Sequence, residues 1–246
     1  MINNVLCYPP QDSLGDCFVQ AGIINTLTEQ CAGIILPVLH RDNLVENVST
    51  LFSNNSKVHM AAFTDSIDHT DLNKFIIENR LPCIEQQRLM SVPIGEGNVV
   101  PYWDEQLYTL FDIPFSHRYT KFNMPDVREQ SKKLYDSIVK SNKYILVAQK
   151  FLNPFTEAFL PLPNDEKQVI YLTEELSSNM LFYYDLIKHA DEIHCVPSSI
   201  FCLVDSLVHQ TQAKLFYHDL RANTVMRVNN RFNNRRWAII QYPKKY

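Results

Sequence analysis

Short apolar runs alternate with amphipathic helical patterns along most of this chain. Runs at 2–8, 33–39, 58–63, 83–92, 143–148, 167–172, 192–196 and 213–217 are brief, rich in β-branched and aromatic residues, and bounded by turn residues, so they read as strands. Between them, residues 17–29, 43–52, 71–78, 103–111, 126–141, 178–189 and 200–207 place apolar side chains on one helical face. A parallel pair needs a crossover connection, and a helix supplies it, so this alternation predicts an α/β fold built from parallel βαβ units. With 246 residues, the chain can form one sizeable domain or two small ones without staples.

Several other classes drop out on inspection. No apolar run approaches the length of a membrane span, and the start MINNVLCYPPQD lacks the basic and apolar regions of a signal peptide. The expectation is a cytoplasmic protein with no membrane span. Six cysteines (Cys7, Cys17, Cys31, Cys83, Cys195, Cys202) show no CxxC or Cys/His ligand spacing, and they read as reduced core residues. No GxGxxG dinucleotide fingerprint and no GxSxG nucleophile elbow is present. The net charge of −4 is unevenly placed: residues 219–246 carry seven basic side chains and one acid, leaving −10 on the rest. Apolar residues Val225, Phe232, Trp237, Ile239 and Ile240 run through that basic tail, so it is expected to dock on the body and not to serve as a nucleic-acid arm.

Two strand-to-helix turns carry the candidate chemistry. In the second half, 192–196 runs into Pro197, then Ser198-Ser199, then a helix with Ile200, Phe201, Leu203, Val204 and Leu207 apolar. Two hydroxyls and unpaired backbone N–H groups at a helix start can hold an anion; they can equally form an ordinary Ser-capped turn. In the first half, 2–8 runs through Pro9-Pro10 into Leu14-Gly15-Asp16 at the start of a helix. Asp16 can be a helix cap or an exposed carboxylate poised to take a proton. Lys150, just past the strand 143–148, stands where an open α/β sheet meets phosphates, or is a solvated loop residue. His218-Asp219 closes the strand 213–217 with Arg221 close behind, which makes His218 and Arg221 further binding candidates. The aromatics between Trp103 and Phe122 can line a sugar site, but core packing is the better reading.

Taken together, Ala190-Asp191-Glu192-Ile193-His194, the Ser198-Ser199-x-Phe201 turn and Leu203-Val204-Asp205-Ser206-Leu207 resemble the nucleotide-sugar half of GT-B glycosyltransferases. The likeness is to short, largely uncharacterised putative glycosyltransferases of phages, viruses and bacteria, distantly similar to heptosyltransferases and fucosyltransferases. Leu14-Gly15-Asp16, with Gly22 further along the helix, resembles the N-terminal motif of the same proteins. That resemblance implies two Rossmann-like halves facing a cleft, a minimal GT-B arrangement. Residues 1–118 would form the acceptor side and 119–246 the nucleotide-sugar side with its basic tail.

It further implies metal-independent transfer of a sugar from a nucleotide-activated donor to an acceptor hydroxyl, on a glycan or another acceptor, with the nucleotide-sugar as substrate and no cofactor. Asp16 would be the catalytic base. Ser198, Ser199, Lys150, His218 and Arg221 would bind the donor, and Leu14 and Gly15 would shape the acceptor-side loop. Better-known relatives often carry a His or Arg in the region of Lys150. The alternative is a non-catalytic protein of the same fold that binds a nucleotide, a glycan or a protein partner.

Overall fold

The computed structural model describes residues 2–9, 11–41, 43–64, 103–148, 167–219 and 236–241. The expected helix at 71–78, the expected strand at 83–92, Cys83, Lys150 and Arg221 lie outside the described residues. The chain divides into two compact units, Met1–Asp126 and Val127–Tyr246. Both are α/β with parallel sheets, as the alternation requires. The break falls a little past 118 because residues just beyond it are tied to the first unit. Asn25 Nδ2 donates to the Lys121 carbonyl at 2.9 Å, and Phe18 meets Phe122 edge-on at 6.4 Å.

In the first unit, β1 (Ile2–Cys7), β2 (Cys31–Leu39) and β3 (Val58–Phe63) form a parallel sheet in the order β1-β2-β3. Helix α1 (Leu14–Gln30) crosses from β1 to β2, and α2 (Leu44–Leu51) from β2 to β3. Because α1 is buried along most of its length, its apolar residues are not confined to one stripe. It starts at Leu14, three residues earlier than the apolar period suggests, so Leu14-Gly15-Asp16 is its first turn and not a preceding loop. At its far end Lys57 Nζ donates to the carbonyls of Thr28 (2.7 Å) and Cys31 (3.0 Å). A cation there satisfies orphaned carbonyls and meets the negative end of the helix dipole.

Helices α3 (Trp103–Leu110) and α4 (His117–Thr120) cover α1. Of the described aromatics here, Tyr108 and Phe122 are buried in the core, while Phe111, Phe115 and Tyr119 are half-buried. Tyr108 is buried and meets Phe115 edge-on at 5.5 Å, while Tyr8 stacks on Phe111 at 5.8 Å. Arg118, fully buried, pairs with buried Asp104 at 3.0 Å. Helix α3 ends with Asp112 at φ 53, Asp112 N–H donating to the Thr109 carbonyl and Ile113 N–H to that of Tyr108. This is a Schellman closure with Asp in the left-handed position usually given to Gly.

The second unit holds β4 (Tyr144–Ala148), β5 (Gln168–Tyr171), β6 (Glu192–Cys195), β7 (Lys214–Asp219) and β8 (Trp237–Gln241), all parallel, in the order β5-β4-β6-β7-β8. Helix α5 (Arg128–Ile138) precedes β4; a 3₁₀ turn at Met180–Tyr183 and α6 (Tyr184–His189) precede β6; α7 (Ser199–Ser206) joins β6 to β7. The helical stretch expected at 178–189 is therefore split, with Asn179 capping the 3₁₀ turn through its side chain. These helices share one face of the sheet. Tyr135 of α5 meets Tyr144 at 6.2 Å, the Tyr144 hydroxyl donates to the Leu186 carbonyl of α6, and Phe201 of α7 packs on Tyr217 and Trp237.

The basic tail contributes β8, the fifth strand of this sheet. Trp237 Nε1 donates to Asp205 at 3.1 Å, and the Arg236 guanidinium donates to the carbonyls of Val208 and Thr211 beyond the end of α7. Cys7, Cys17, Cys31, Cys195 and Cys202 are buried free thiols, as their apolar settings suggest. No helix among the described residues is long and apolar enough to cross a membrane.

Candidate functional site

The strand order of the second unit fixes where its crevice lies. From β4 the chain steps to one side to make β5, then crosses back to place β6 on the other side of β4. Connections leaving in opposite directions separate beyond the carboxyl ends of the two central strands, and ligands of open α/β sheets sit there. The strands flanking this switch point are β4 and β6, with Ala148 opposite Cys195 and the Val196 N–H donating to the Ala148 carbonyl at 3.1 Å. Residues 149–150, Lys150 included, follow β4 directly in sequence but lie outside the described residues. The Pro197-Ser198-Ser199 turn follows β6.

Within that turn the two serines do different work. Ser198, with φ −163 and ψ 170, is the N-cap of α7. Its Oγ accepts from the Phe201 N–H at 3.3 Å and donates to the Val196 carbonyl at 3.0 Å. Its hydroxyl hydrogen is thus spent inside the turn. Ser199, half-buried, makes no side-chain hydrogen bond among the described residues. The N–H groups of Ser199 and Ile200 likewise find no partner among them, as expected for the first turn of a helix. What the turn offers an anion is therefore one hydroxyl, two backbone donors and the positive end of α7.

In the first unit, the loop after β1 is pinned along β2. Gln11 bridges to Val38, its N–H donates to the Pro37 carbonyl and its carbonyl accepts from Leu39. The Cys17 thiol lies 3.6 Å from Gln11 Oε1. This fixes the first turn of α1, with Leu14 half-buried and Gly15 buried. Ser13 is the N-cap residue but makes no side-chain cap, and Asp16, in the third helical position, accepts no hydrogen bond from the described backbone. Burial, and then the nearby carboxylate of Asp12, push the Asp16 carboxyl from 3.8 up to about 6. Gly22 sits where α1 meets α4: a methyl group on it would lie 2.3 Å from the His117 carbonyl oxygen and 2.5 Å from the Tyr108 hydroxyl.

His218, next to last in β7, stands on one face of the sheet and is fully buried. Its Nε2 lies 2.9 Å from Nδ1 of His194, the residue opposite Phe216 on β6. Burial first, then the neighbouring imidazole, lower its pKa to about 4. Sequence reading passed over this pairing. The signal was present in the alternation Glu192-x-His194 and Phe216-x-His218, but only the register of β6 on β7 shows that the two faces coincide. Among the described residues no group of three or more His, Cys, Asp or Glu side chains could hold a metal ion. Comparison with protein families, curated proteins and solved structures finds no match to this chain.

Proposed function

We propose that this protein is a glycosyltransferase that moves a sugar from a nucleotide-activated donor to an acceptor hydroxyl, the second unit holding the donor and the first supplying the base. The observation carrying this reading is the open start of α7 beside the β4/β6 switch point, where Ser199 and two N–H groups stand without partners among the described residues. A diphosphate leaving group builds negative charge as the sugar departs, and fixed donors at a helix start are suited to stabilise it. Asp16 supports the other half of the reading, since a carboxyl titrating near 6 and committed to no cap is ionised at neutral pH and can accept a proton.

One observation favours the second reading, a protein of this class that binds without catalysing. The Ser198 hydrogen is donated internally, so the turn supplies one hydroxyl where its sequence suggests two. Calorimetry with UDP, GDP, ADP and CDP, followed by nucleotide-sugar turnover with and without acceptors, separates the two readings. Binding with turnover supports the transferase, binding without turnover supports the second reading, and no binding by any nucleotide rejects the donor site and leaves the second reading only with a glycan or protein ligand.

A further inference from the structure

Among the buried side-chain amides described in the first unit, three donate to a backbone carbonyl and one does not. Gln11 donates to the Pro9 carbonyl at 3.0 Å, Asn25 to that of Lys121 at 2.9 Å and Asn47 to that of Asn43 at 2.8 Å. The fourth is Gln20, 6% exposed, in the second turn of α1. Its Oε1 accepts from the Tyr8 hydroxyl at 3.0 Å. Tyr8 is 1% exposed, and its hydroxyl hydrogen has no other acceptor among the described residues. That fixes the amide: the oxygen faces Tyr8, and Nε2 faces away with both hydrogens unclaimed by any described residue. Nε2 is not sealed off but keeps access to solvent. Tyr8 needs only an acceptor, so the NH₂ half of Gln20 is left over by the fold, served by water until a ligand oxygen replaces it.

Tyr8 directly follows β1, so Gln20 is tied to the carboxyl end of that strand, where the chain turns toward α1. Asp16 and Gln20 are i and i+4 neighbours, about 6 Å apart on the helix surface. A carboxylate that caps nothing and an amide with two unclaimed hydrogens therefore stand one turn apart. Together they are complementary to two neighbouring oxygens of one ligand, since the carboxylate accepts from a hydroxyl and the amide donates to a lone pair. A simple alcohol satisfies one of the two. A sugar, with hydroxyls on adjacent carbons, satisfies both.

We propose that Gln20, oriented by Tyr8, binds the acceptor beside Asp16 by donating from Nε2 to an oxygen next to the attacking hydroxyl, so that the acceptor is a sugar or other polyol. This rests on the reading that the first unit takes the acceptor.

The isotope-labelled full chain, titrated with methyl glucoside, methyl galactoside, methyl mannoside and propanol, tests it through the side-chain amide signals of Gln20 in NMR. At least one glycoside should shift them, and propanol at matched concentration should not. Gln20→Met should weaken the affinity for that glycoside by roughly two- to tenfold, the value of a neutral hydrogen bond. Tyr8→Phe should weaken it as well, because the amide loses its orientation. Amide signals unmoved by every glycoside, signals moved equally by propanol, or unchanged affinity in Gln20→Met each overturn the proposal. If Gln20→Met does not fold, the titration of the native chain decides by itself. Calorimetry with nucleoside diphosphates keeps this apart from the reading beneath it. Nucleotide binding with an unresponsive Gln20 keeps the donor site and removes Gln20; a responsive Gln20 without nucleotide binding keeps the polyol site and removes the transferase.

Discussion

Asp16 sits in the first turn of α1, where a carboxylate ordinarily caps, yet it accepts none of the described helix N–H groups. A carboxyl held up at about 6 binds its proton more tightly in the folded state than in the unfolded chain. Its contribution is full below about pH 4 and is lost as pH rises through about 6, reaching up to ~3 kcal/mol of destabilisation at neutral pH. Asp16→Asn should therefore raise the unfolding midpoint at pH 7.5 and leave it unchanged near pH 3.5. The same substitution removes a proton acceptor, so sugar transfer should drop by about 10²–10⁴-fold. Unimpaired transfer would reject Asp16 as the base, whatever the stability result. Gly22 is the opposite kind of residue, defined by space and not by charge. Gly22→Ala pushes a methyl against the backbone carbonyl of His117, and overpacking of that kind costs about 1–3 kcal/mol. Denaturant midpoints will show it; a variant as stable as the parent would mean α4 yields freely.

At the scale of elements, α7 separates two roles that the Ser-Ser dipeptide alone leaves merged. Ser198 caps, so Ser198→Ala should cost about 0.5–2 kcal/mol of stability in the second unit. Ser199 is uncommitted, so Ser199→Ala should leave the melting temperature in place and weaken nucleoside diphosphate binding about tenfold or more, the value of a hydrogen bond to a charged group. Parallel thermal denaturation and calorimetry on the two variants test this. If Ser198→Ala loses the affinity and Ser199→Ala does not, the site is built the other way round. The helix itself was legible, because Pro197 and a serine precede an apolar period. The start of α1 was not, because a helix buried on nearly every side has no stripe to mark its first turn.

Across the whole molecule, the tail is where local reading and tertiary structure part. Apolar residues threaded through its seven basic side chains suggested docking, and its described portion does more, completing the second sheet as β8. Trp237 is 6% exposed, packs on Phe201 at 5.1 Å and donates to Asp205. Trp237→Ala should cost about 3–5 kcal/mol, and exchange should quicken in β7 and α7 while α1 and β2 keep their protection. Uniform loss of protection over both units would show that they do not unfold separately.

The order of apolar runs and helical periods was enough to specify parallel α/β units, because burial on both faces and the need for crossovers leave their period in the chain itself. It also located the turn between β6 and α7, since proline and serine act there through their own backbone and side chain. Register and strand order were beyond it. That β6 lies between β4 and β7, and that His194 and His218 meet with ring nitrogens 2.9 Å apart, depend on residues far apart in sequence coming together. Pairing across strands is set by the packing of whole faces, and only the folded molecule decides it.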